Sequence, residues 1–110
     1  MKYSETIIYL RSMELVSLVR EIIDSLPTGY AFLADQLRRA VSSIPLNFAE
    51  GAGKVTARDR RRYFIAARGS AYEVAAALDV GCAFGVTDAQ RARRGKDICD
   101  QVAAMLSNFR

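Results

Sequence analysis

The chain contains no histidine, the side chain that serves most often as a metal ligand or as a general base near neutral pH. It also has no glycine-rich phosphate loop and no nucleophile spaced to meet a base. Glu50 and Glu73 are candidates for a carboxylate pair, but carboxylate-bridged metal bundles also need Glu-x-x-His motifs. We therefore expect a protein that is not an enzyme and holds no metal ion and no cofactor.

Cysteine is scarce, and long apolar runs are absent. Cys82 and Cys99 fall on apolar positions of predicted helices, which favours two buried free thiols over a disulfide. The most apolar stretch, residues 66–86, contains three charged side chains, and these argue against a membrane-spanning helix. The N-terminus does not lead into a signal-peptide core. We therefore expect a cytoplasmic protein with no membrane partner.

Proline occurs only at positions 27 and 45, so long helices are possible. Apolar residues recur at three- and four-residue spacing, and no strand-like alternation stands out. The pattern predicts helix 1 from about Ser4 to Leu26, helix 2 from about Tyr30 to Glu50, helix 3 from its N-cap Thr56 to about Phe84, and helix 4 from its N-cap Thr87 onward. Thr28 is the predicted N-cap of helix 2, and Asp59 and Gln90 complete capping boxes with Thr56 and Thr87.

Short connections between long helices imply antiparallel neighbours. The sequence therefore predicts an all-α fold, an antiparallel up-and-down four-helix bundle that forms a single domain over residues 1–110. Pro45 lies within the apolar stripe of helix 2, where a missing backbone N–H predicts a kink. Asn47 and Glu50 lie beside this kink as polar groups that either satisfy backbone atoms and anchor neighbouring helices or form a small polar site. The structural interpretation is the one we favour.

Helix 3 is apolar on two sides. One face collects Phe64, Ala67, Ala71, Val74, Ala75, Leu78 and Cys82 and is predicted to pack into the core. The other face collects Ala66, Gly69, Ala76, Ala77, Val80 and Phe84 and would meet water in a monomeric bundle. Small side chains allow another backbone to approach closely, so this second face predicts an oligomer interface. Closed symmetric oligomers are usual for such contacts, and periodicity does not give the number of subunits.

Positive charge is concentrated where helices 3 and 4 begin, in a chain with a net charge of +4. The candidate nucleic-acid-binding residues are Lys54, Arg58, Arg61 and Arg62 at the first site and Arg91 and Arg94 at the second. In an up-and-down bundle these two basic patches lie at opposite ends. The alternative is that these side chains are solvated or pair with acids of neighbouring subunits. Helix-turn-helix, zinc-finger and RNP-like motifs are absent, so any readout of RNA or DNA is not sequence-specific.

Several segments resemble the bacterial 23S rRNA intervening-sequence family of four-helix-bundle proteins. They are Gln36-Leu37-Arg38-Arg39-Ala40, Ser43-Ile44-Pro45-Leu46-Asn47-Phe48-Ala49-Glu50-Gly51, and Tyr63-Phe64-Ile65-Ala66-Ala67-Arg68-Gly69-Ser70-Ala71-Tyr72-Glu73, with a weaker match at Met105-Leu106. The segments occur in the order and at the helical positions typical of the family, and the resemblance covers nearly the whole chain.

The resemblance implies a four-helix bundle that assembles with itself, typically as a basic homopentamer, and it implies no established enzymatic activity. It also implies a structural polar network between helices 2 and 3, formed by Arg39, Asn47, Glu50, Ser70 and Glu73. A related protein, the accessory factor of diversity-generating retroelements, binds nucleic acid and a reverse transcriptase. We therefore expect a nucleic-acid-binding bundle for structured RNA or an RNA–protein complex. The alternative is an adaptor ring that docks a partner enzyme, such as a reverse transcriptase, and does not itself bind nucleic acid.

Overall fold

The computed structural model describes residues 2–109, in which four α-helices follow a short 3-10 helix at Tyr3–Glu5. Helix α1 is Ile7–Asp24, α2 is Ala31–Ala52, α3 is Ala57–Ala83 and α4 is Ala89–Asn108. No strand occurs within this part of the chain. The predicted all-α fold with four helices is confirmed.

Each helix packs against two others, and the third lies diagonally opposite on the other side of the core. Helices α1 and α3 both contact α2 and α4, which gives a four-cornered bundle that measures 45 × 22 × 19 Å. The largest fully buried side chains come from all four helices and include Leu15, Ile22, Leu37, Ile44, Phe48, Leu78 and Val102. Burial of these apolar groups is the main favourable contribution to folding.

The bundle has two ends with different connections. At the α2–α3 end, defined by the connection 53–56, the Phe109 ring that follows α4 lies 5.2 Å from Phe64 and 5.3 Å from Phe48. These contacts place the C-terminal end of α4 beside the start of α3, so α3 and α4 are antiparallel. The α3–α4 end is defined by the connection 84–88 and lies at the other extreme of the long axis.

The helix caps agree with the prediction at one site and differ at two. The hydroxyl of Thr56 accepts a hydrogen bond from the backbone N–H of Asp59 at 3.1 Å, which confirms Thr56 as the N-cap of α3. Thr28 does not cap α2, whose N-cap is Tyr30 with no side-chain hydrogen bond. Thr87 does not cap α4 either, because the carboxylate of Asp88 accepts from the first turn instead.

Close packing explains why Thr87 is unavailable as a cap. Its side chain is buried against Gly81 of α3, where an added Cβ would overlap the Thr87 hydroxyl and lie 3.0 Å from the Thr87 Cβ. The backbone N–H groups of Val86 and Thr87 both donate to the carbonyl oxygen of Gly81, at 3.0 and 3.3 Å. The chain therefore turns tightly over Gly81, which has no side chain to obstruct Thr87. Asp88, the residue after Thr87, caps α4.

Pro45 lies inside α2, which is helical throughout Ala31–Ala52. Because proline has no N–H, the carbonyl of Val41 loses its helical partner. The hydroxyls of Ser42 and Ser43 donate to carbonyl oxygens of earlier residues, at 2.7 and 2.9 Å, rather than to Val41. The helix continues without a break on both sides of the proline. The kink at Pro45 stays a prediction.

The buried side of α3 follows a seven-residue repeat. Its members alternate spacings of three and four and are Phe64, Ala67, Ala71, Val74, Leu78 and Gly81. Such a repeat drifts by about 20° per heptad relative to a straight 3.6-residue helix, which amounts to roughly 50° between Phe64 and Cys82. Cys82 is consequently exposed, and its predicted core position is wrong. Ala77 is 5% exposed and packs into the core, so its predicted place on the outer face is also wrong.

The other cysteine agrees with its predicted burial. Cys99 of α4 is buried, and both thiols are free. Loss of hydration by burial raises the pKa of the Cys99 thiol to about 12, so the group stays protonated and unreactive.

Across residues 2–109, none of the helices combines the length and apolar character that crossing a membrane requires.

Candidate nucleic-acid interface

Three arginines at the α2–α3 end extend into solvent from the first turns of α3. Arg58, Arg61 and Arg62 are all exposed, and none has an ion pair with the carboxylates of residues 2–109. Lys54 is partly engaged, because its Nζ lies 3.9 Å from a Glu50 carboxylate oxygen and 5.1 Å from the centre of the Tyr63 ring. The positive charge of the three arginines is therefore available to an external anion.

Arg60 has a different role, which the sequence analysis did not assign. Its Nη1 donates to the carbonyl oxygens of Val55 at 2.7 Å and Lys54 at 3.3 Å. These bonds tie the α2–α3 connection to the first turn of α3 and hold the Arg60 guanidinium in place. A guanidinium carries five donors in a rigid plane, so its remaining N–H groups keep a defined direction.

At the α3–α4 end, Arg94 pairs with an acid of its own chain, and further acids line the groove that contains Arg91, Arg93 and Arg94. Arg94 donates to a carboxylate oxygen of Glu14 on α1 at 3.3 Å, and the hydrogen bond from Arg94, followed by one from Arg11, lowers the pKa of Glu14. The groove that contains Arg91 and Arg94 is also lined by the acidic residues Glu21, Asp88 and Asp97. The structure therefore keeps the two basic patches at opposite ends and in different electrostatic surroundings.

The predicted polar network between α2 and α3 is divided into separate contacts. Gln36 Nε2 donates to Glu73 at 2.6 Å, and Arg39 donates to the Gln36 side-chain oxygen at 3.2 Å. Two turns further along α2, the hydroxyls of Ser43 and Ser70 lie 2.5 Å apart. These two contacts join the helices directly.

The other two members of the predicted network bond within their own segment. Asn47 donates to the carbonyl oxygen of Ser43 at 2.8 Å, and Glu50 pairs with Lys54. Glu73 is bound at Gln36, which lies about 20 Å from Glu50 along α2 at 1.5 Å per residue, so the two carboxylates do not form a pair. Among the residues that the structure describes, no group of three or more His, Cys, Asp or Glu side chains is arranged to hold a metal ion.

The outer face of α3 is accessible along its length. Five of the predicted interface residues are exposed, namely Ala66, Gly69, Ala76, Val80 and Phe84. Arg62 continues the same line, because it precedes Gly69 and Ala76 at seven-residue intervals. At the far end of this face the Phe84 ring contacts Tyr30 at 5.8 Å and Phe32 at 6.1 Å. Phe32 and Phe84 are each 56% exposed, and the contribution of Phe32 was missed because it lies on another helix.

Residues 4–108 match the model of the 23S rRNA-intervening sequence protein family. The chain belongs to this family. The match covers all four helices, so the basic residues, the α2–α3 polar contacts and the outer face of α3 all lie within the family domain. No functionally curated protein is significantly similar to the chain.

A solved structure of an S23 ribosomal protein family member from Bacteroides thetaiotaomicron VPI-5482 is similar to this chain. That protein is described as having unknown function. The two share 15% sequence identity and superimpose with a TM-score of 0.83, over 91% of this chain and 94% of the other. At this identity the likeness establishes the four-helix fold.

Proposed function

We propose that this member of the 23S rRNA-intervening sequence family is a non-enzymatic protein that binds nucleic acid through the α2–α3 end of its bundle. The observation that carries the proposal is the exposure of Arg58, Arg61 and Arg62 without an acidic partner among residues 2–109. The ligand class is structured RNA or an RNA–protein complex, bound without sequence specificity. Further contacts of nucleic acid with Arg91 and Arg94 remain a prediction. Arg94 already pairs with Glu14 and is therefore less available to a phosphate.

Exposed arginine is suited to phosphate for a specific reason. Its planar guanidinium donates two parallel hydrogen bonds to phosphate oxygens, and each contact releases a condensed counterion from the nucleic acid. Arg58 and Arg62 are separated by one helical turn, about 6 Å, which is close to the spacing of phosphates along one strand. Binding of this kind weakens steeply as salt is added.

The proposal includes self-association through the outer face of α3. Gly69 and Ala76 leave room for a second backbone, and Val80, Phe84 and Phe32 add exposed apolar surface at the α3–α4 end. A closed ring would place one copy of the α2–α3 arginines on each subunit and so multiply the positive field. The number of subunits, five, remains a prediction from the sequence resemblance. The relation to the accessory protein of diversity-generating retroelements also remains a prediction.

Fluorescence anisotropy with labelled RNA and DNA duplexes tests the binding function directly. The purified protein is titrated at several salt concentrations, and we expect Kd values of about 1 μM or tighter at low salt. The logarithm of affinity is expected to fall with the logarithm of salt by about 0.9 for each phosphate neutralised. The absence of binding to RNA and DNA at low salt would contradict the proposed function.

The assembly is tested by light scattering on the eluted protein. Ala76→Glu introduces a charge into the outer face of α3, and we expect the measured mass to fall towards that of one chain. Ala104→Glu is the matched control, because Ala104 is exposed on α4 and lies outside the proposed interface. A wild-type mass equal to one chain would contradict self-association.

A second function, as an adaptor for a partner protein, is favoured by one observation. Ile7, Leu10 and Leu46 are 66%, 56% and 67% exposed on α1 and α2, away from the outer face of α3. Leu46 also lines a groove between α1 and α2 together with Tyr9 and Met13, and a contiguous exposed apolar surface is typical of contact sites. Recovery of one stoichiometric protein after nuclease treatment, together with no affinity for RNA or DNA, would favour this function over the first.

A further inference from the structure

A small cavity opens at the α2–α3 end between the first turns of α3 and the residue that follows α4. It has a volume of about 300 Å³ and is lined by Ala57, Arg60, Arg61, Phe64 and Phe109. This volume lies at the lower end of the range for small-molecule sites. The lining combines aromatic rings with guanidinium groups and includes no acidic side chain.

The aromatic side of the cavity is held firmly in place. Phe109 is half-buried and packs edge-on against Phe48 and Phe64, with interplanar angles of 60° and 77°. These two rings support Phe109 from within the bundle, while Phe109 itself borders the cavity. A supported aromatic ring at the surface is the platform on which nucleobases stack in proteins that bind single strands.

The charged side of the cavity consists of one fixed and one adaptable guanidinium. Arg60 is anchored by its bonds to the carbonyl oxygens of Lys54 and Val55, so its plane forms a static wall. Arg61 is exposed and has no ion pair within the described part of the chain. A fixed guanidinium plane suits stacking on a base, and an adaptable arginine suits a phosphate beside that base.

We infer that this cavity receives one unpaired nucleotide of a single-stranded RNA or DNA segment. The base stacks on Phe109 beside the Arg60 plane, and Arg61 binds the adjacent phosphate. A duplex cannot present a base in this way, because its bases are already stacked. The inference rests on the proposed nucleic-acid-binding function and deepens it, since it names a loop, bulge or strand end as the preferred ligand.

The chain has no tryptophan, so Phe109→Trp introduces a single fluorescent reporter into the cavity. The probe is a 5′-phosphorylated uridine dinucleotide, which is too short to span the rest of the basic patch. We expect saturable quenching of the tryptophan, and we expect Arg61→Ala in the same background to weaken binding about tenfold. Arg93→Ala, at the opposite end of the bundle, is the matched control and should leave the titration unchanged. Absence of quenching, or equal quenching by a short peptide carboxylate, would overturn the inference.

A second measurement separates this inference from the proposed function. Anisotropy compares a single-stranded oligonucleotide with a blunt duplex, using wild type and Phe109→Leu, which keeps an apolar side chain but removes the aromatic stacking surface. We expect Phe109→Leu to lower affinity for the single strand about five- to a hundredfold and to leave duplex affinity unchanged. Circular dichroism confirms that the variant is folded.

The possible results lead to different conclusions. If the single-stranded oligonucleotide and the duplex both bind and Phe109→Leu changes neither affinity, the cavity inference fails and the proposed function stands. If the single strand binds wild type and is weakened by Phe109→Leu while the duplex does not bind at all, the duplex binding expected from the proposed function fails and the cavity inference stands. If the single strand does not bind wild type, the cavity inference fails.

Discussion

The two ends of the bundle both carry clustered arginines, and they differ in what surrounds those arginines. At the α3–α4 end, Arg94 reaches across to Glu14, and the groove beside it contains three further acids. At the α2–α3 end, Arg58, Arg61 and Arg62 extend into solvent and form no ion pair with residues 2–109. A count of basic residues in the sequence gives the two clusters equal weight, whereas their tertiary neighbours distinguish them. Acids line the groove of the α3–α4 cluster and one of them pairs with Arg94, while Arg91 and Arg93 form no ion pair within residues 2–109.

The connections between helices at the two ends also differ in what holds them. The α3–α4 connection turns over Gly81 so tightly that the Thr87 hydroxyl is buried without a hydrogen-bond partner among residues 2–109. The α2–α3 connection is instead held by polar bonds from Arg60 to backbone carbonyls. The α3–α4 connection is thus specified by close packing of Thr87 on Gly81, and the α2–α3 connection by a polar clamp. Close packing is present at the α2–α3 end as well, where a Cβ on Gly51 would lie 2.8 Å from the Phe64 ring.

Gly81→Ala tests the close packing of the α3–α4 end and has the largest expected effect on stability. The added Cβ meets the Thr87 side chain, and we expect a loss of about 2 kcal/mol in the free energy of unfolding, measured by chemical denaturation. Gly53→Ala at the α2–α3 end is the matched control, because its Cβ would make ordinary contacts at 3.5 and 3.8 Å. Equal losses in the two variants would show that the loss at Gly81 does not come from its contact with Thr87.

Thr87→Val tests the buried hydroxyl at the same end. Valine has the shape of threonine and removes the polar atom that lacks a partner within residues 2–109, so we expect a gain of about 1 kcal/mol in stability. The measurement is again chemical denaturation. A loss of similar size would show that the hydroxyl forms a hydrogen bond in solution, most simply to a water molecule.

Arg94→Ala tests the charge pair that compensates the α3–α4 end and has the smallest expected effect. Because the pKa of Glu14 is lowered from 4.5 by Arg94 and Arg11, the stabilisation is present at neutral pH and is lost as the pH falls through the folded-state pKa. The pair is solvent-exposed, so we expect a cost of about 0.5 kcal/mol near neutral pH that shrinks as acid protonates Glu14. Arg93→Ala is the control, and a cost independent of pH would contradict an ionic origin.

The four helices could be predicted from the sequence because local apolar periodicity and cap residues determine them. The α3 boundary set by Thr56 is an example. Thr87 was misassigned because its role depends on Gly81, a contact between two elements that a local cap pattern does not contain. Cys82 and Ala77 were misplaced because a 3.6-residue wheel ignores the drift of a seven-residue core repeat over a long helix.

The candidate site could be predicted only in part, for a related reason. The arginines are visible as a composition pattern, and their exposure at the α2–α3 end follows from their helical positions. The pairing of Arg94 with Glu14 joins residues that are eighty positions apart, so spacing along the chain does not reveal it. The cavity beside Phe109 likewise requires this residue, which follows α4, to lie beside the start of α3.

The most direct test compares charge reversal at the two ends. One variant carries Arg58→Glu and Arg62→Glu, and the other carries Arg91→Glu and Arg94→Glu, so both lose the same amount of positive charge. Anisotropy with a labelled RNA at low salt, after light scattering has shown equal oligomeric states, measures their affinities. We predict that reversal at the α2–α3 end weakens binding about a hundredfold, and at least tenfold more than reversal at the α3–α4 end. Equal losses in the two variants would contradict the account, because binding would then depend on net charge and not on the exposed arginines of α3.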